Sequence, residues 1–235
     1  MNWVEINDIR STFVEGLMIN SLPPITMPAK RADFEQVNGR DGDVVHTYGY
    51  EAYDREFNIS VLPNGNVNEV IEFFNKEGTI VFSNEFGKYY KFHMVSQINF
   101  ERLIRYRTAV VTLHVQPFKY SCEPPCEKNI TTETYIKVSN AGNVDARPKI
   151  TLTASGTIAL TLNGNTVFTI ALGTDTGITI DTEKMEAYAV GDPTTLKNRK
   201  VTGNYDSFRL PPGENTIGWT GTVSKITTEN TSRWI

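Results

Sequence analysis

The chain has 235 residues and a formal net charge of −4, with 39% hydrophobic and 21% charged residues. That length suits one large or two small domains with a substantial core, and the composition excludes a disordered or highly charged tail. The charge is spread evenly, so neither half has the concentrated positive charge that a specific nucleic-acid or anionic-membrane binder needs.

No stretch approaches the roughly 18 continuous apolar residues of a membrane span. The start Met1-Asn2-Trp3-Val4-Glu5 lacks both a basic segment and an apolar run. No signal peptide is therefore expected, and the chain is expected to fold in a cytoplasm. In that reducing compartment Cys122 and Cys126, on either side of Glu123-Pro124-Pro125, are expected as thiols in a linker. Two thiols alone cannot complete a four-ligand zinc site.

In chain order, the first segment reads as strands broken by turns. Leu17-Met18-Ile19 precedes the rigid Pro23-Pro24, and Val44–Tyr48 follows the turn Gly39-Arg40-Asp41-Gly42. From Tyr53 to Val61 apolar and polar residues alternate, the period of a strand with one buried face. Val67, Val70, Ile71 and Phe74 then form one helical stripe, with Asn66 as N-cap, Glu69 at the capping-box position and Gly78 as the stop. Strands are expected at Thr79–Ser83, Tyr89–Ile98 and Thr108–Gln116. Between the last two, Glu101–Arg107 carries three arginines and reads as a solvated face or hairpin end, or as a contact to something negative.

Pro117, Ser121, Pro124 and Pro125 interrupt the pattern, which places a domain junction at about 120–130. The second half reads as β structure alone. Strands are expected at Tyr135–Val138, Lys149–Thr153, Ile158–Leu162, Val167–Ile170, Gly177–Asp181, Thr216–Thr220 and Thr222–Thr228, with Asn163-Gly164 as a hairpin turn. The chain is thus expected to be mainly β and to have two domains, residues 1–120 as a β-sandwich with one short helix and residues 130–235 as a second sandwich.

No catalytic, cofactor-binding or metal-binding residue is expected. His46, His93 and His114 are far apart in strand-like runs, and no phosphate loop, nucleophile elbow or metal motif occurs. Asp181 and Glu183 are spaced to share a strand face, but a glycosidase pair needs a cleft that spacing alone does not show. Carbohydrate binding is the main rival reading, with Tyr188, Tyr205, Phe208 and Trp219 as the aromatics available for stacking. Trp219 alternates with Ile217 and is better read as core.

The order of these motifs resembles the distal tail protein of long-tailed, non-contractile phages of Gram-positive bacteria and their prophages. The likeness rests on Val37-Asn38-Gly39-Arg40-Asp41-Gly42-Asp43, Arg55-Glu56-Phe57-Asn58-Ile59, the capped helix and Val115-Gln116-Pro117-Phe118. In the second half it rests on Val138–Asn143, Ala146–Ile150, Ser155-Gly156, Ile178–Asp181 and Leu210–Ile217. The resemblance implies an N-terminal domain that forms a homohexameric ring and a galectin-like C-terminal sandwich. It implies a structural hub at the virion tail tip, made in the bacterial cytoplasm. The partners it implies are the tail tube protein, the tail-associated lysin or fibre protein and receptor-binding proteins. A head-to-tail interface closes into a ring when its rotation suits the copy number. Within residues 28–58, Arg31, Arg40, Tyr48, Tyr50 and Arg55 have the Tyr and Arg character of an interface and are expected as inter-subunit contacts.

Overall fold

The computed structural model describes residues 1–94 and 98–235, so the end of the strand expected at Tyr89–Ile98 lies partly outside the described residues. The chain is mainly β. It divides into two compact units, Met1–Lys119 with Ile235, and Tyr120–Trp234. Among the described residues no helix is long and apolar enough to cross a membrane.

The first unit contains strands β1 (Val4–Ile6), β2 (Ile9–Arg10), β3 (Leu17–Ile19), β4 (Lys30–Gln36), β5 (Asp43–Tyr50), β6 (Tyr53–Val61), β7 (Gly78–Phe82), β8 (Lys88–Met94) and β9 (Thr108–Ser121), and helices α1 (Val67–Phe74) and α2 (Phe100–Tyr106). Its main sheet runs in the order β2-β1-β7-β8-β9-β6-β3, while β4 and β5 form a separate two-stranded sheet. The alternation read in β6 is realised: Phe57, Ile59 and Val61 face the core, against Val111, Leu113 and Val115 of β9.

Helix α1 covers this core with Val70, Phe73 and Phe74. Its Asn66 side chain accepts from the Asn68 amide at 3.0 Å and donates to Glu69 at 3.1 Å, satisfying one of the open N–H groups of the first turn. Gly78 has another task than stopping the helix. It opens β7 at φ 136°, where a Cβ would lie 2.2 Å from the Asn7 side-chain oxygen.

Two expectations change here. Strand β9 continues through Pro117 to Ser121, because its register with β6 ends at Tyr53–Val115 and the missing N–H of Pro117 is not needed by that ladder. The arginine-rich stretch is helical. Asn99 accepts from the Arg102 amide at 2.8 Å, and Arg107 at φ 56° supplies a left-handed stop.

The second unit contains β10 (Cys126–Asn129), β11 (Tyr135–Asn140), β12 (Lys149–Leu162), β13 (Asn165–Ala171), β14 (Gly177–Asp181), β15 (Glu186–Ala189), β16 (Asp192–Leu196), β17 (Val201–Gly203), β18 (Gly213–Glu229) and β19 (Arg233–Trp234). Strands β10, β18, β12, β14, β15 and β16 are neighbours in that order, with β11 on β18, β13 on β12 and β17 on β13. The Asn163-Gly164 turn joins β12 to β13 as expected, both residues at positive φ.

Four expected strands merge into two. Lys149–Leu162 and Gly213–Glu229 are each continuous, bent where Gly156 (φ 75°) and Gly221 (φ 91°) sit beside jumps in their mutual register. A Cβ on Gly221 would stand 2.5 Å from the Thr157 carbonyl oxygen, so only glycine lets the two backbones cross there. The bends bring Ile150, Leu152, Leu160, Phe168, Ile178, Phe208 and Trp219 into one core.

Candidate functional site

The β4–β5 hairpin of the first unit is exposed along most of its length. Its strands pair from Lys30–Tyr50 to Gln36–Asp43, with a bulge between Arg31 and Ala32. Directly paired residues share a face, so Phe34 and Val45 stand side by side, 68% and 52% exposed. Tyr48 is 57% exposed. A two-stranded ribbon has little stability of its own in water. Here it carries the exposed apolar side chains Phe34, Val45 and Tyr48.

The root of the hairpin is firm. Tyr50 packs edge-on against Phe118 at 5.6 Å, and the Glu51 amide donates to the Ala29 carbonyl at 2.8 Å. Just before it, the Asn84 side chain donates to the Pro23 carbonyl at 3.1 Å, and Arg55 donates to that of Pro24 at 2.6 Å. Arg55 belongs to a buried network. It donates to Glu85 at 3.0 Å, Lys119 donates to the same carboxylate at 2.7 Å, and the Tyr90 hydroxyl donates to it as well. The Arg55 guanidinium lies 4.9 Å from the Phe82 ring centre and 4.6 Å from that of Tyr90.

The expected contact residues therefore separate. Arg31 and Arg40 are exposed at the root and tip of the hairpin, Tyr48 is exposed, and Tyr50 is half-buried. Arg55 is 2% exposed and leaves the set: it cannot reach a neighbour without abandoning Glu85. The signal was present in the sequence, since Arg55 falls on the same alternating face as Phe57 and Ile59. Glu85 and Lys119, which complete the network, were not singled out in the sequence. Lys119 likewise continues the buried face of β9.

Burial alone would raise the Glu85 pKa, but hydrogen bonds from Lys119, Tyr90 and Arg55 outweigh it and hold the carboxyl below its usual value. Tyr90 is pushed up, by burial and by its bond to Glu85. A depressed folded-state pKa adds stability that is complete above the unfolded value, about 4.3, and is lost as pH falls through the folded value. The stability gap between the wild type and Glu85→Gln should accordingly be widest near neutral pH and narrow below about pH 4. Melting temperatures of both proteins from pH 7 to 2 measure this, and a constant gap would exclude the ionised carboxylate as its source.

A second exposed surface surrounds α2. Asn99, Arg102, Arg105, Tyr106 and Thr108 line an open cavity of about 550 Å³. Ile104 and Tyr106 are 62% and 65% exposed beside it.

The remaining candidates resolve into ordinary roles. His46 and His93 are exposed and His114 is half-buried, and they lie against Glu35, Glu77 and Asp54 respectively, in three separate places. Among the described residues no cluster of three His, Cys, Asp or Glu could hold a metal ion. Asp181 accepts from the Glu183 and Lys184 amides, capping a turn, and Glu183 accepts from the Tyr120 hydroxyl. Of the aromatics considered for sugar stacking, Phe208 and Trp219 are core residues, and Tyr205 packs on Phe168 at 5.1 Å. Tyr188 is half-buried. Cys122 and Cys126 are exposed thiols.

No family model and no curated protein matches the sequence. Solved structures do match. The chain superposes on the SPP1 Dit (gp 19.1) protein, described as a paradigm of the hub adsorption apparatus in phages infecting Gram-positive bacteria. The TM-score is 0.62 at 15% identity, over 100% of both chains. The fold is that of the phage distal tail proteins. The phage P2 baseplate in its activated conformation with Ca contains a similar chain, with a TM-score of 0.56 at 12% identity, covering 100% of this chain and 98% of that one. The distal-tail fold thus extends over both units at a sequence identity too low for simple sequence matching.

Proposed function

We propose that this chain is a structural hub subunit of a phage tail tip, with no catalytic role. In this reading six copies close into a ring that joins the tail tube to the tail-associated lysin or fibre and to receptor-binding proteins. The observation that carries it is the end-to-end correspondence with the SPP1 Dit hub protein, in which neither chain has an unmatched domain. The exposed hairpin supports it. A head-to-tail contact that covers Phe34, Val45 and Tyr48, with Arg31, Arg40 and Tyr50 around them, uses the aromatic and arginine composition of protein interfaces.

Light scattering over a wide concentration range tests the reading. A particle of six times the 26.4 kDa chain mass is expected. Phe34→Ser should raise the concentration needed for half-assembly by about tenfold or more, as loss of a central aromatic contact does. Its exposure predicts an unchanged monomer melting temperature. A monomer at all concentrations would remove the self-assembling ring.

A further inference from the structure

We infer that Asn38, at the tip of the β4–β5 hairpin, is a site of spontaneous deamidation, where the chain gains a carboxylate without the help of an enzyme. Asparagine is a labile residue, and a following glycine has no Cβ to hinder attack by its own backbone nitrogen. The Gly39 nitrogen gives up its proton to hydroxide and bonds to the carbonyl carbon of the Asn38 side chain. The carbon–nitrogen bond of the side-chain amide then breaks, ammonia leaves, and a cyclic imide remains. Water opens the imide at either carbonyl, leaving an aspartate or an isoaspartyl linkage. Nothing is oxidised or reduced, and water is the only co-reactant.

The chain holds three such pairs, Asn38-Gly39, Asn64-Gly65 and Asn163-Gly164. All three asparagines are exposed, so access to water does not separate them. They differ in whether the side chain is free to turn onto the next nitrogen, and whether that nitrogen is free to react.

Asn163 is held at both ends of its amide. Its nitrogen donates to Asn215 at 3.0 Å, and its oxygen accepts from the Thr216 amide at 2.8 Å. Turning onto the Gly164 nitrogen would break both bonds and take a donor from Asn215, which is 1% exposed. Asn64 donates to Glu15 at 3.1 Å, and the Gly65 amide, the nitrogen that would attack, donates to the Leu62 carbonyl at 2.9 Å. Gly65 is also crowded: a Cβ there would stand 2.7 Å from the Val61 side chain and 2.9 Å from the Glu15 carbonyl oxygen.

Asn38 has none of these restraints. Among the described residues, neither its side chain nor the Gly39 amide makes a hydrogen bond. The Arg40 amide donates to the Val37 carbonyl at 3.1 Å, which leaves Asn38 and Gly39 as the central pair of the turn. The β4–β5 ladder ends before them, at Gln36–Asp43. Gly39 stands at φ 84° with no atom within 4 Å of where a Cβ would lie, so the imide has room to form. A loop tip of this kind also moves at the least cost. The product adds a negative charge beside Asp41 and Asp43, and its isoaspartyl form adds a methylene to the backbone of the turn. The inference does not depend on the ring reading.

The test keeps the intact protein at mildly alkaline pH, below its melting temperature, while peptide mass spectrometry follows each of the three amides. Asn38 should convert at least about tenfold faster than Asn64 or Asn163, both of which must first break hydrogen bonds. Its rate should rise with pH, because the Gly39 nitrogen reacts in its deprotonated form. In denaturant, where the hydrogen bonds are gone, the three rates should converge. Asn38→Gln should remove the fast site and leave the circular dichroism melt unchanged. Equal rates in the folded protein, faster conversion at Asn64 or Asn163, or a lead of Asn38 that persists in denaturant would each overturn the assignment.

Discussion

Arg55→Ala should lower stability by about 3–5 kcal/mol, the cost of removing one partner of a buried ion pair. In a domain of this size that is a drop in melting temperature on the order of 10 °C or more. Arg55 performs three tasks that alanine cannot. It neutralises Glu85 beside Lys119, it satisfies the Pro24 carbonyl, and its planar face fills the space between Phe82 and Tyr90. Without it, Glu85 keeps Lys119 and Tyr90, while the segment leading into the hairpin loses one of its anchors. Arg55→Lys should recover only part of the loss, because an ammonium offers neither the fork nor the flat stacking surface. Denaturant unfolding of the three proteins measures both differences. A loss for Arg55→Ala below about 1 kcal/mol would mean that water replaces the network at little cost.

Phe168→Ala should cost about 3–5 kcal/mol as well, here through a cavity. The ring is fully buried, stacked on Phe208 at 5.7 Å and 12° between planes, and tilted against Tyr205 at 5.1 Å. It also packs over Gly203, where an added Cβ would stand 2.1 Å from the Val167 carbonyl oxygen and 2.9 Å from the Phe168 ring. Strands β13 and β17 pair at that point, so the surroundings cannot close over the void without breaking backbone hydrogen bonds. Phe168→Leu, which keeps most of the volume, should cost markedly less. Urea unfolding followed by a probe in the second unit reads both. Equal effects of Ala and Leu would point to loss of the aromatic stacking and not to the cavity.

Much of the fold was legible in the sequence because it is local. Helix α1 is set by the Asn66 cap and a stripe of apolar side chains, and the β12–β13 turn is set by Asn163-Gly164. Strand β6 is set by alternation from Tyr53 to Val61. Each depends on residues within a few positions of one another, so composition and period suffice. Those same rules placed Arg55 on the buried face, although its chemistry suggested a surface.

What the tertiary structure alone decided is which partner each residue meets. Gly156 and Gly221 read as ends of strands, because positive φ serves a turn and a bend equally. Only the crossing of β12 and β18 makes them bends in continuous strands. Pro117 reads as a break, yet β9 passes through it because the ladder to β6 has already ended. Glu85 and Lys119 show no local pattern marking them as partners of Arg55, since the three are brought together from β6, from the turn after β7 and from β9. Backbone conformation is decided over a few residues, whereas an ion pair or a covered surface is decided by contacts far apart in the chain.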